Sequence, residues 1–116
     1  MIEAEAALRA GNTATWLARL NTARANYGMG ALADPGNQNA RVDLLFRERA
    51  FSLFATGHRL GDLRRLVRQY GRGSETVYPT GDYHKDGLKL GTDLQFIIPQ
   101  NEKNNPKFTG CIDRNA

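Results

Sequence analysis

Apolar residues recur at helical spacing through the middle of the chain, at Val42, Leu45, Phe46, Leu53 and Phe54, then at Leu60, Leu63, Val67 and Tyr70. The spacing predicts two helices within LLFRERAFSLFATGHRLGDLRRLVRQYGR, Leu44 to Arg72, with Gly57 punctuating them. Leu44 and Phe51 add a second apolar stripe, which predicts cover on more than one side of the first of these helices. Glu48 falls on that second stripe. A carboxylate buried there demands a partner, and arginines are plentiful nearby. Arg59, Asp62 and Arg65 follow at three-residue steps, a spacing that suits an Arg–Asp–Arg ladder on one helix face.

Upstream, Met1 to Ala10 is rich in strong helix formers, with Ile2, Ala6 and Leu8 as its bulkier apolar content. Gly11-Asn12 is a turn, and Asn12 or Thr13 is the next N-cap. Thr13 to Tyr27 reads as an amphipathic helix with Trp16, Leu17, Leu20, Ala23 and Tyr27 on one side and Arg19 and Thr22 on the other; Gly28 ends it. Two helices joined by so short a turn pack antiparallel. Gly28 to Asn39 has loop chemistry, with Asn39 expected to cap the central helix and Asp43 expected in its first turn.

Past Gly71 the texture changes. Glycines at 71, 73, 81, 87 and 91, with Pro79, exclude a long helix or a central strand, leaving an irregular excursion that carries Tyr78, Tyr83, His84 and Asp86. Leu94 to Ile98 fits one short strand stopped by Pro99, Asn101 to Asn105 fits a turn or short helix, and Asn105-Pro106 leads into an extended tail. The predicted fold is mainly α: tetratricopeptide-like antiparallel helical hairpins, then a glycine-rich segment with at most one or two short strands. It is read as a single domain over 1–116, with a first hairpin at 1–28, a second at 39–73, and an irregular loop and tail at 74–116.

The chain has 116 residues, enough for one domain with a modest core. Its formal charge of +4 is mildly basic, and the surplus is concentrated in Arg41 to Arg72. Such a stripe attracts nucleic acid or an anionic membrane surface in some proteins. Here the interleaved Glu48 and Asp62 argue for internal pairing, and no nucleic-acid motif accompanies the charge. Cys111 is the one cysteine, which excludes an intrachain disulfide and a cysteine-based metal cluster. MIEAEAALRAGN is acidic and alanine-rich, without the basic and apolar regions of a signal peptide, and no apolar run is long enough to span a bilayer.

Catalytic chemistry has little to draw on. His58 and His84 are the two histidines; His58 sits at a helix junction beside Arg59 and reads as a capping or packing residue. His84 with Asp82 and Asp86 resembles one corner of a metal site but has no second ligand cluster. Neither a phosphate-binding glycine motif nor a GxSxG elbow is present, and Ser52 and Ser74 have no suggestive neighbours. No cofactor is implied. Aromatic residues are the alternative: Trp16, Tyr78 and Tyr83 are the candidate ligand-binding side chains, able to stack on sugar rings or a protein partner. The helical spacing of Trp16 with Leu20 and Tyr27 makes it a core residue first, whereas Tyr78 and Tyr83 are expected to be exposed.

In AEAALRAGNTATWLARLNTAR the small residues and the Gly11-Asn12 turn resemble a tetratricopeptide unit. The whole succession resembles the C-terminal part of the SusD/RagB family of nutrient-uptake proteins. MIEAEAALRAGN looks like that family's EAEA-L-aG helix, and LARLNTARANYG is similar to its LN-x-x-R-x-x-x-G. RERAFSLFATGHRLGDLRR matches the family's central pattern through Glu48, Arg49, Leu53, Gly57, Arg59, Asp62, Leu63, Arg64 and Arg65. FIIPQNEKNNP resembles its closing signature through Pro99, Glu102, Asn105 and Pro106. Departures are Thr56, where the family often has glutamate, and the tail Thr109-Gly110-Cys111.

The resemblance implies a non-catalytic glycan-binding or nutrient-binding protein on the cell-surface face of a bacterial outer membrane, working with a TonB-dependent transporter. It also implies a longer parent chain with a lipoprotein signal, so the segment is expected to be a truncated C-terminal part. Glu48, Arg49, Gly57, Arg59, Asp62, Arg65, Pro99, Glu102 and Pro106 carry over as structural signature positions and not as ligands. The alternative is a freestanding tetratricopeptide-like interaction module with a basic helical face.

Overall fold

The computed structural model describes residues 1–85, 87–88, 90 and 99–108. Among them the regular structure is helical: α1 (Ile2–Arg9), α2 (Thr13–Ala25), α3 (Gln38–Ser52), α4 (Arg59–Arg68), α5 (Ser74–Val77) and α6 (Gln100–Lys103). The mainly α reading holds. The expected strand at Leu94–Ile98 and the tail carrying Cys111 lie outside the described residues, as does Asp86. The chain divides into two units, Met1–Arg59 and Leu60–Ala116.

In the first unit α1 and α2 pack on each other and α3 contacts both. The Arg19–Glu3 ion pair at 3.0 Å joins the start of α1 to the middle of α2, as an antiparallel hairpin requires. The Asn12 side chain accepts the Thr15 N–H at 3.0 Å and caps α2. Gly28 closes that helix at φ +68°, with its own N–H on the Ala25 carbonyl and the Met29 N–H on the Arg24 carbonyl. This paired closure needs a left-handed residue, which glycine supplies without a Cβ clash. The core is Ala4, Leu8, Trp16, Leu20, Val42, Leu45 and Phe46, all buried.

The α3 boundaries differ from the pattern's prediction at both ends. Asn37, not Asn39, caps α3: its extended backbone lets Oδ1 accept the Ala40 N–H at 2.9 Å, while Asn39 is already inside the first turn. Asp43 consequently lies in the second turn, past the reach of the N-terminal dipole. Phe54 is 82 % exposed because α3 ends at Ser52, and the helical phase that would have turned it inward stops there. Phe51 is 68 % exposed, so the second stripe is covered at Glu48 and half-covered at Leu44 but open at its far end. Tyr27 lies beyond the end of α2 and is exposed, as is Ile2.

The second unit begins within α4, which buries Asp62 and Leu63. Ser74–Val77 adds one helical turn to what was expected to be wholly irregular. The loop at 81–90 is closed by two backbone bonds, from the Tyr83 N–H to the Leu88 carbonyl (2.6 Å) and from the Leu90 N–H to the Gly81 carbonyl (2.8 Å). Beyond α6, the Phe108 N–H returns to the Asn105 carbonyl at 2.9 Å, so 105–108 is a turn; the tail that follows it lies outside the described residues. Among the described residues no helix is long and apolar enough to cross a membrane.

Candidate functional site

Two buried carboxylates organise the first unit. Glu48 accepts a hydrogen bond from Arg24 Nη1 at 2.8 Å and one from Arg47 at 3.4 Å. A lone carboxylate at this depth would be strongly unfavourable, so the Arg24 guanidinium is what permits it. Glu5 on α1 pairs with Arg49 on α3 at 3.9 Å, both buried, and the Arg49 guanidinium also lies 5.9 Å over the Phe46 ring. The apolar and ionic contacts of Arg49 thus coincide on one side chain.

Arg24 has a second task. Its Nε donates to the Gly30 carbonyl at 2.7 Å, and Asn21 exchanges two bonds with the Leu32 backbone, at 3.1 and 2.8 Å. Asp34 then receives both Nε and Nη2 of Arg41, at 2.7 and 2.8 Å, and the Gly36 N–H at 3.0 Å. The Arg41 guanidinium, helped by the Gly36 N–H, holds the Asp34 carboxyl below its usual range, and Asp34 in turn raises Arg41. The segment from Gly28 to Asn37 therefore has loop composition but is tied to helices at three places.

The α3–α4 turn is built from left-handed residues, Ala55 at φ +59° and Gly57 at φ +80°. Ala55 is the described non-glycine residue in that region, which costs an L side chain about 1–2 kcal/mol. Thr56 Oγ1 donates to the Leu53 carbonyl and lies 2.8 Å from His58 Nδ1, so one hydroxyl ties the imidazole to the turn. Arg59 is exposed at the start of α4, while Arg65 Nη1 reaches the buried Asp62 carboxylate at 3.2 Å. The expected ladder is present in its Asp62–Arg65 half.

Further on, Pro99, Glu102 and Asn105 are linked by successive turns: Glu102 N–H to the Pro99 carbonyl at 3.0 Å, then Asn105 N–H to the Glu102 carbonyl at 3.1 Å. Pro99 contributes only its carbonyl to that ladder, so its missing N–H costs nothing there. Pro106 sits inside the turn that follows. These signature residues shape backbone.

The sequence blocks that resembled one family thus occupy the load-carrying pairs and turns of the chain, and a family model covers them: the SusD family model matches residues 1–109. The chain belongs to the SusD family. Neither a curated relative nor a solved structure matches it. The SusD family is a binding, non-catalytic family of glycan and nutrient uptake, and its members are typically outer-membrane surface lipoproteins that work with TonB-dependent transporters.

For this SusD-family chain the candidate ligand residues separate. Trp16 is fully buried in the first unit, and its Nε1 has no hydrogen-bond partner among the described residues. It is core. Tyr78 is half-buried with its hydroxyl covered, against the expected exposure; burial raises its pKa, opposed by the nearby charges of Arg64 and Arg68. Tyr83 is the one of the three that faces outward, with its ring against His84. The metal corner of His84, Asp82 and Asp86 depends on a residue outside the described set. Among the described residues no three His, Cys, Asp or Glu side chains gather as metal ligands would.

A cleft of about 550 Å³ lies within the first unit, lined by Ile2, Arg19, Ala23, Asn26, Leu53 and His58 among others. It is mostly apolar, and its Arg19 is already paired with Glu3. Sequence reasoning missed this cleft, the Glu5–Arg49 pair, and the role of Asn21 and Arg24 in fastening the loop. The LN-x-x-R block was the available signal, since it contains both Asn21 and Arg24.

Proposed function

We propose that this chain belongs to a non-catalytic glycan-binding or nutrient-binding component of an outer-membrane uptake system, acting with a TonB-dependent transporter at the cell surface. The single observation that carries the reading is the SusD-family match over residues 1–109. The buried carboxylates at and around the signature positions have structural partners, Glu48 with Arg24, Glu5 with Arg49, and Asp62 with Arg65.

The freestanding interaction module loses support from the same pairs. Its basic face would run from Arg41 to Arg72, yet Arg41 is bound to Asp34, Arg47 to Glu48, Arg49 to Glu5 and Arg65 to Asp62. The test is affinity isolation of the tagged protein from the envelope of its native cells under mild detergent. Stoichiometric recovery of a TonB-dependent transporter is expected. Recovery with soluble proteins alone would overturn the transporter-linked reading.

A further inference from the structure

The loop at 81–90 presents side chains in a way that the skeleton of ion pairs does not explain. Its two backbone bonds, Tyr83 N–H to the Leu88 carbonyl and Leu90 N–H to the Gly81 carbonyl, are those of a narrow antiparallel ribbon. Alternation then puts Tyr83, Leu88 and Leu90 on one face and Asp82 on the other. Two backbone bonds close the loop by themselves, without drawing on the apolar side chains. They remain open instead: Tyr83 is 38 % exposed, and Leu88 and Leu90 are exposed as well. In the turn after Tyr83, His84 folds back until the two ring centroids are 4.5 Å apart, with the planes tilted by 56°.

We infer that the Tyr83–His84 pair is a subsite for a single pyranose ring of a glycan. This rests on the binding reading given above and names the residues and the ligand class at one place. The aromatic face carries negative charge density that attracts the polarised C–H bonds on the apolar side of a sugar, and the tilted imidazole stands where it can hydrogen-bond a ring hydroxyl. The area offered by the described residues of the loop argues for a small ligand over a macromolecular partner. A buried aromatic side chain accounts for roughly 150–250 Å², so 38 % exposure leaves roughly 60–100 Å² on Tyr83. Even with His84, Leu88 and Leu90 added, that is far below the roughly 800 Å² per partner of a stable protein interface. It is the footprint of one sugar ring.

The test begins with wild-type protein on an array of neutral oligosaccharides of glucose, galactose, mannose and xylose, followed by calorimetric titration of the best binder. Tyr83→Ala is expected to weaken binding at least tenfold and His84→Ala several-fold. Tyr83→Phe should stay within threefold, and Tyr27→Ala, which changes an exposed tyrosine of the other unit, should leave binding unchanged. Circular dichroism should be the same for all four variants. Wild-type binding that both Tyr83→Ala and His84→Ala retain within twofold would overturn the subsite and leave the glycan-binding reading intact. Wild-type failure on every sugar would overturn both. Concentration-dependent self-association of the wild type, lost in Tyr83→Ala while sugar affinity persists, would reassign the face to contact between copies and overturn the subsite.

Discussion

Removing Arg24 is the sharpest perturbation of the first unit. In Arg24→Ala the Glu48 carboxylate stays buried, and its remaining described partner is Arg47 at 3.4 Å, whose own side chain is largely in solvent. Breaking a buried pair from one side costs about 3–5 kcal/mol. The bond to the Gly30 carbonyl is lost as well, so the upper part of that range is expected. Against a total stability of about 5–15 kcal/mol, this is a large fraction. With a urea dependence near 2 kcal/mol per molar, the midpoint should fall by about 2–2.5 M. Glu48→Gln in the Arg24→Ala background removes the stranded carboxylate and should restore a substantial part of the loss. Arg24→Met with Glu48→Leu, which replaces both charges by apolar groups of similar volume, should approach wild-type stability. The single loss and the rescue are read in the same urea titrations. A cost for Arg24→Ala within about 0.5 kcal/mol, the range of ordinary surface changes, would refute the reasoning. Strict additivity of the two substitutions would refute it too, since residues in one ion pair must couple.

Other outcomes follow from the same geometry. Asp62→Ala removes a buried carboxylate bonded to Arg65 and should cost about 2–4 kcal/mol by chemical denaturation, well outside the surface range. In the α3–α4 turn, Ala55→Gly should be neutral to stabilising by up to about 1 kcal/mol, whereas Gly57→Ala should destabilise by about 1 kcal/mol or more, because both positions have positive φ. Differential scanning calorimetry compares the two directly. Asp34, held below its usual range by Arg41, keeps the loop linked to α3 at neutral pH. That stabilisation is present above the unfolded carboxylate pKa and is lost as pH falls through the lower folded value. The Gly36 amide resonance should therefore titrate below the ordinary aspartate range, and Asp34→Asn should abolish that transition.

The helices were legible because periodicity reports which face of each one is apolar. On that basis Trp16, Leu20, Val42, Leu45 and Phe46 belong in the core, and all five are buried. Periodicity is blind to where a helix stops, so it points Phe54 inward although α3 ends two residues before it. It is equally blind to partners across the fold. That Glu48 needed an arginine could be read from its position on an apolar stripe. That the arginine is Arg24, twenty-four residues away on α2, could not be. Glu5 hid among helix formers, since an acidic residue in the first turn of a helix already has a sufficient local reason to be there. Tyr78 failed the expectation because glycine-rich surroundings speak to backbone freedom and not to side-chain burial. Composition marked 28–37 as loop, and only side-chain geometry shows it fastened by Asn21, Arg24 and Arg41.

The most direct test of the account is to titrate the purified protein calorimetrically with soluble oligosaccharides of defined composition and to recover the sugar afterwards for chromatography. Saturable binding with the oligosaccharide returned at its original length is the predicted result. Shortened or chemically altered sugar would contradict the non-catalytic reading, and the absence of binding across the panel would contradict glycan capture itself.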